Sequence, residues 1–187
     1  MKKGTAITLA SAVLFVIIVL SAIVTIIDLN NTAIRAENGI KAQYKQNQNN
    51  YDNYFKQLKE AAQVPENYVD DMRKVWKDVM TGRHGQEGSR AMFNWIKEHN
   101  PVVEAKLYLK LQSIITAGRN RFEADQKALI DKKREYENLL GIFPNSFFAG
   151  LLGFPKINLA DYDIVTSDET QRAFDSKKSE PFRLRDK

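Results

Sequence analysis

The chain has 187 residues, no cysteine, and 28 basic against 23 acidic side chains. The lack of cysteine excludes disulfides and thiolate metal sites, and the interspersed charges exclude the one-signed stripe of a nucleic-acid interface. Once a membrane segment is set aside, the length suits one soluble domain.

That segment comes first. Gly4–Ile27 reads GTAITLASAVLFVIIVLSAIVTII, 24 residues without a charge. As a helix it reaches about 36 Å, against a hydrocarbon core of about 30 Å. In lipid only a helix satisfies its own backbone, and this overrides the weak helix propensity of Val and Ile. A cleaved signal peptide has a shorter apolar stretch followed by a small-x-small site. Here Ala10-Ser11-Ala12 falls inside the run, and apolar residues continue beyond Ala22. Lys2-Lys3-Gly4 resembles a type IV prepilin leader, but the place where pilins carry Glu is Leu9. The run therefore reads as a retained single-pass anchor in the cytoplasmic membrane, with residues 4–27 contacting the bilayer. Lys2 and Lys3 on one flank nearly balance Arg35, Lys41 and Lys45 on the other. The charges nearest the membrane, Lys2 and Lys3 against Asp28, favour an internal N-terminus and an extracytoplasmic bundle.

Asp28–Val64 has no proline and one glycine, Gly39. Ile34, Ile40, Tyr44, Tyr51, Tyr54, Phe55, Leu58, Ala61 and Ala62 recur at helical spacing, so the anchor is expected to continue into a second helical stretch. The Asn- and Gln-rich segment from Gln43 to Asn53 is its polar face, and Asn47 interrupts the seam as a register-fixing residue can. Pro65 ends the helix by forcing Val64 out of the α region, and suits the first turn of the next one. There Tyr68, Met72, Val75, Trp76, Val79 and Met80 form the apolar stripe. TGRHGQEG, Thr81–Gly88, is a loop, and its His84 reads as solvent-exposed. Ser89 is a suitable N-cap for a short helix ending at His99 with Met92, Phe93 and Ile96 inward.

Val102–Gly141 is helical throughout. Val103, Leu107, Leu111, Ile114, Gly118, Phe122, Asp125, Leu129, Lys132, Tyr136, Leu139 and Phe143 step by three or four, close to a heptad repeat. Gly118 marks either a close helix crossing or a bend, and Asp125 and Lys132 are polar seam positions. Phe143-Pro144 ends the helix. NSFFAGLLGFPKI is apolar and is expected to fold over the open end of the bundle, the alternative being an exposed patch for a partner or lipid. From Asn158 the chain turns polar and loses its period, as an extended or disordered tail does.

The long helix ending in Phe143-Pro144, followed by Ala149 and Gly153-Phe154, resembles the LemA family of membrane-anchored helical proteins. Asn30-Asn31 after the anchor, and Leu111-Gln112 upstream of the Phe-Pro pair, agree with it. The resemblance runs from Asn30 to about Ile157. The family's basic patch and Leu-Ile-Pro near the end of its first helix are replaced by FKQLKEAAQV at Phe55–Val64, and its Tyr-Asn pairs by Arg121-Phe122 and Tyr136-Glu137. The chain looks like a diverged member. The resemblance implies an antiparallel four-helix bundle at a membrane, and no reaction.

The expected architecture is all-α: an anchor at 4–27, an antiparallel bundle of about four helices at 28–157, and a tail at 158–187. No nucleophile stands beside a base, no carboxylate pair shares a helix face, and no metal-ligand spacing is present. No catalytic, cofactor-binding or metal residue is assigned, and the chain reads as a non-enzymatic scaffold or interaction protein with protein partners unidentified and self-association open. Two alternatives are a membrane-tethered sensor-like bundle that binds a small ligand and a phage-type envelope or lysis protein.

Overall fold

The computed structural model describes residues 3–81, 88–100, 105–166 and 168–177. His84 and Val103 lie outside the described residues. Among those described there is no strand. The helices are α1 (Lys3–Ala62), α2 (Val69–Met80), α3 (Gly88–His99), α4 (Ala105–Gly141), α5 (Asn145–Leu152) and α6 (Asp168–Ser176), with 3-10 turns at Glu66–Tyr68 and Leu159–Tyr162.

α1 is unbroken because nothing in it breaks a helix: it contains no proline, and Gly39 is its one glycine beyond Gly4. Its apolar stretch is long enough to cross a membrane, and none of that stretch is buried in protein, unlike a core helix. Two hydroxyls within it are satisfied locally. Ser11 and Thr25 donate to the carbonyls of Ile7 and Ser21 at 2.6 and 3.0 Å. Protein cover begins just past the run, at Leu29 and Ala33.

The chain forms two compact units. One comprises the residues up to Ala42 with Ile130–Tyr162; the other comprises Gln43–Leu129 with the residues from Asp163 onward. These cut across the linear order of anchor, bundle and tail.

The second unit has an aromatic core. Phe55, Leu58 and Ala62 of α1, Met72, Trp76 and Val79 of α2, Met92 and Ile96 of α3, and Leu111 and Ile115 of α4 are buried together. Tyr51 and Phe55 meet Trp76 in tilted contacts with ring centroids 6.0 and 6.4 Å apart. Gly118 permits a close crossing: a Cβ there would lie 3.0 Å from the Trp76 ring and 3.4 Å from Tyr54. α1 stops at Ala62 because Gln63 turns left-handed, φ +49°, and the Asn100 side chain donates to the freed Ala62 carbonyl at 3.1 Å. Ser89 lies inside α3, which begins at Gly88.

In the first unit Leu29, Ala33, Glu37 and Ile40 of α1 are buried, as are Tyr136, Ala149, Phe154 and Ile157. Ile34, expected on the stripe, faces out; the small Ala33 takes the packed position instead. α5 ends in a Schellman motif. Gly153 sits at φ +70°, Phe154 N–H donates to the Ala149 carbonyl at 3.0 Å, and Gly153 N–H to that of Gly150 at 3.2 Å. The Phe143–Pro144 and Phe154–Pro155 peptide bonds are cis.

Two expectations need correction. The NSFFAGLLGFPKI segment folds back only in part: Ala149, Phe154 and Ile157 turn inward, whereas Phe143, Phe147 and Leu151 stay exposed. The tail is not extended throughout. Asn158 organises the turn at Leu159–Tyr162 by accepting from Ala160 N–H at 3.2 Å and donating to Asp161 at 2.9 Å. α6 follows, with Gln171 bonded to Asp175 one turn on at 3.1 Å.

Candidate functional site

Among the described residues each unit has one buried carboxylate, and each carboxylate is consumed by contacts between elements. In the first unit Glu37 is 5% exposed. Its Oε1 accepts from the Tyr136 hydroxyl and from the Lys156 backbone N–H, the latter at 2.7 Å. One oxygen thus joins α1 to α4 and to the turn after α5. Burial, then the Glu37 carboxylate, raise the Tyr136 phenol well above its ordinary value, so it stays a donor. Beside this pair lies a cleft of about 300 Å³ whose walls include Arg35, Gly39, Lys132 and Leu139.

In the second unit Asp125 is 3% exposed. Asn50 donates to its Oδ2 at 2.7 Å, Arg121 Nε lies 3.0 Å from its Oδ1, and Asn47 donates to its backbone carbonyl at 2.9 Å. Gln43 in turn donates to Asn47 at 2.8 Å. The Asn- and Gln-rich stretch is therefore a row of amides that fixes α1 against α4, as the seam reading of Asn47 anticipates. The expected polar seam residue Lys132 lies in the first unit, its Nζ 3.9 Å from where a Gly39 Cβ would sit.

Next to these amides is a groove of about 300 Å³, walled by Tyr44, Tyr51, Phe122, Leu129 and Val165, with Lys77, Gln126 and Asp163 also lining it. Burial pushes the Tyr51 phenol up to about 12. Apolar rings with a few amides and charges suit a planar, mostly apolar small molecule. His99 is a packing residue: Nδ1 lies 2.8 Å from the Trp95 carbonyl, and the ring stacks on Trp95 and meets Tyr68 edge-on. Among the described residues no three His, Cys, Asp or Glu side chains converge on a metal-sized site.

Glu37 is absent from the expected seam residues. Its signal is positional, a carboxylate four residues after Ala33 and three before Ile40 on the buried face of α1.

No family model, curated protein or solved structure matches this chain.

Proposed function

We propose that the protein is a single-pass, membrane-anchored scaffold or interaction protein without catalytic activity of its own, and a diverged relative of the LemA-type bundles. Residues 4–27 hold it in the cytoplasmic membrane, and its helices are presented on the extracytoplasmic side. The observation that carries this reading is the use of the buried carboxylates. Glu37 and Asp125 are bonded between elements of their own units rather than aimed into a cleft with a reacting partner. An uncovered apolar helix that continues without a break into packed helices supports the anchor.

Photo-crosslinking from exposed positions such as Asn53, Lys74 and Asn94 is expected to yield discrete protein partners in intact cells. Truncation after Thr166 keeps Asp163 and Val165 at the groove and removes α6; loss of a partner on that truncation assigns it to the tail. Absence of any crosslinked protein from all positions overturns the scaffold reading. Protease access to a tag after Lys187, in cells stripped of outer layers, tests the side: digestion without lysis is the expected result.

The groove supports a second reading, a ligand-binding bundle. A compound that binds only the native state raises the melting temperature, and Tyr51→Ala removes that shift if the groove is the site.

A further inference from the structure

We infer that Ile142, Phe143, Phe147 and Leu151 form a second membrane contact, a patch that meets the lipid headgroup layer of the leaflet from which α1 emerges. The inference rests on the reading of Gly4–Ile27 as a transmembrane anchor.

The patch is apolar and bare. Ile142 is 62% exposed, Phe143 83%, Phe147 69% and Leu151 73%. Phe147 and Leu151 are one helical turn apart on α5 and share a face. They cannot turn inward without surrendering the opposite side. Ala149 and Phe154 are buried there, and the Schellman turn at Gly153 fixes them.

The height of the patch follows from the pairing of α1 with α4 inside this unit. Gly39 lies beside Lys132, and Glu37 bonds Tyr136. Numbers fall along α1 as they rise along α4, so α4 runs back toward the anchor. From Glu37 down to Ile27 is about 15 Å at 1.5 Å per residue, and from Tyr136 down to Gly141 about 7.5 Å. The end of α4 therefore lies about 7 Å above the level of Ile27, with Ile142 and Phe143 directly after it. The headgroup layer of one leaflet is about 5–8 Å thick. Protein cover of α1 reaches down to Leu29, about 3 Å above Ile27 on the same scale.

Charge agrees with this placement. From Asn138 to Ala160 the chain has no acidic residue and a single basic one, Lys156. Four large apolar side chains this bare within residues 142–151 are unusual for a surface facing water, whereas an amphipathic element at the bilayer boundary buries such side chains.

The chain has no cysteine, so each introduced one is unique. Full-length Phe147→Cys and Leu151→Cys are labelled with a small fluorophore in phosphatidylcholine–phosphatidylglycerol vesicles, with Leu14→Cys in the anchor and Glu137→Cys on α4 as references. The expected result is strong quenching at positions 147 and 151 by lipids spin-labelled near the headgroup, with loss of the iodide quenching seen at position 137. Iodide access equal to that at position 137, with position 14 quenched by lipid, overturns the second contact and leaves the anchor standing. Protection from both quenchers assigns the patch to a second copy or another protein and equally overturns it. Iodide access at position 14 overturns the anchor and the patch together.

Discussion

The two units bury their apolar surface around different centres, one aromatic and one polar. The unit around Trp76 has a core of large side chains: Phe55, Leu58, Met72, Trp76, Met92, Ile96, Leu111 and Ile115 are all essentially inaccessible. The unit that includes the anchor buries Leu29, Ile40 and Tyr136 around small and polar residues, Ala33, Glu37 and Ala149 among them, and leaves Ile142, Phe143, Phe147 and Leu151 outside. The first pattern is that of a fold completed in water. The second leaves bare apolar side chains, which we assign to lipid.

The largest expected effect tests the water-completed core. Trp76→Ala removes the ring at its centre, and truncations of this kind cost about 3–5 kcal/mol. Denaturation of the full-length protein in detergent should show that loss. Hydrogen exchange should locate it in residues 43–129, with protection of residues 130–162 retained. Equal loss of protection in both stretches would mean that the two units melt as one.

Next in size is the polar centre of the other unit. Glu37→Leu leaves the buried Tyr136 hydroxyl and Lys156 N–H without their acceptor, which costs about 1–3 kcal/mol for each unsatisfied group. The loss should concentrate in the residues up to Ala42 and in 130–162. A double-mutant cycle with Tyr136→Phe should show strong coupling, because the two side chains share one hydrogen bond. Additive effects would remove Glu37 from its role as the joint.

A smaller effect is expected at Gly118. Alanine gains about 1 kcal/mol in helix propensity, but its Cβ would press on the Trp76 ring at 3.0 Å, and overpacking costs about 1–3 kcal/mol. The ring is fully buried, so Gly118→Ala should lower stability by about 1 kcal/mol net. A stabilised variant, read by thermal melting, would show that α4 can shift and that this core is less tightly fitted than its aromatic contacts suggest.

How far the sequence reveals this division depends on which force decides each position. The water-completed core was legible, because large apolar residues at helical spacing predict burial when packing is what matters: Met72, Trp76, Val79, Met92, Ile96 and Leu111 all follow the pattern. The other unit was less so. Hydrophobicity favours Ile34, but close packing selects Ala33 one residue earlier. Glu37 reads as a solvated side chain until its partners, 99 and 119 positions away, are known. The α4 stripe extended to Phe143 on paper, but the helix stops at Gly141 and the period no longer sets direction. The groove beside Tyr51 draws on residues from α1, α2, α4 and the segment after Tyr162, so its assembly is invisible to any local pattern.

The subtlest contrast lies in the alkaline range, where each unit carries a tyrosine held neutral by burial. Tyr51 is raised from 10.0 to about 12, and Tyr136 is raised with the added push of Glu37. A raised folded-state value means that the unfolded chain loses its proton first. The stabilising contribution is full below pH 10 and is lost as pH climbs through the folded value. At neutral pH Tyr51→Phe should therefore alter stability little, since the ring packing is kept. Between pH 10 and 12 it should flatten the decline in residues 43–129 and leave the decline in residues 130–162 unchanged. Tyr136→Phe should differ in kind. It costs stability at every pH, because the Glu37 carboxylate loses a donor, and it removes alkaline sensitivity only from its own unit. An alkaline decline in both variants unchanged from that of the unsubstituted protein would mean that the phenols titrate alike in folded and unfolded chains, and that burial protects neither of them.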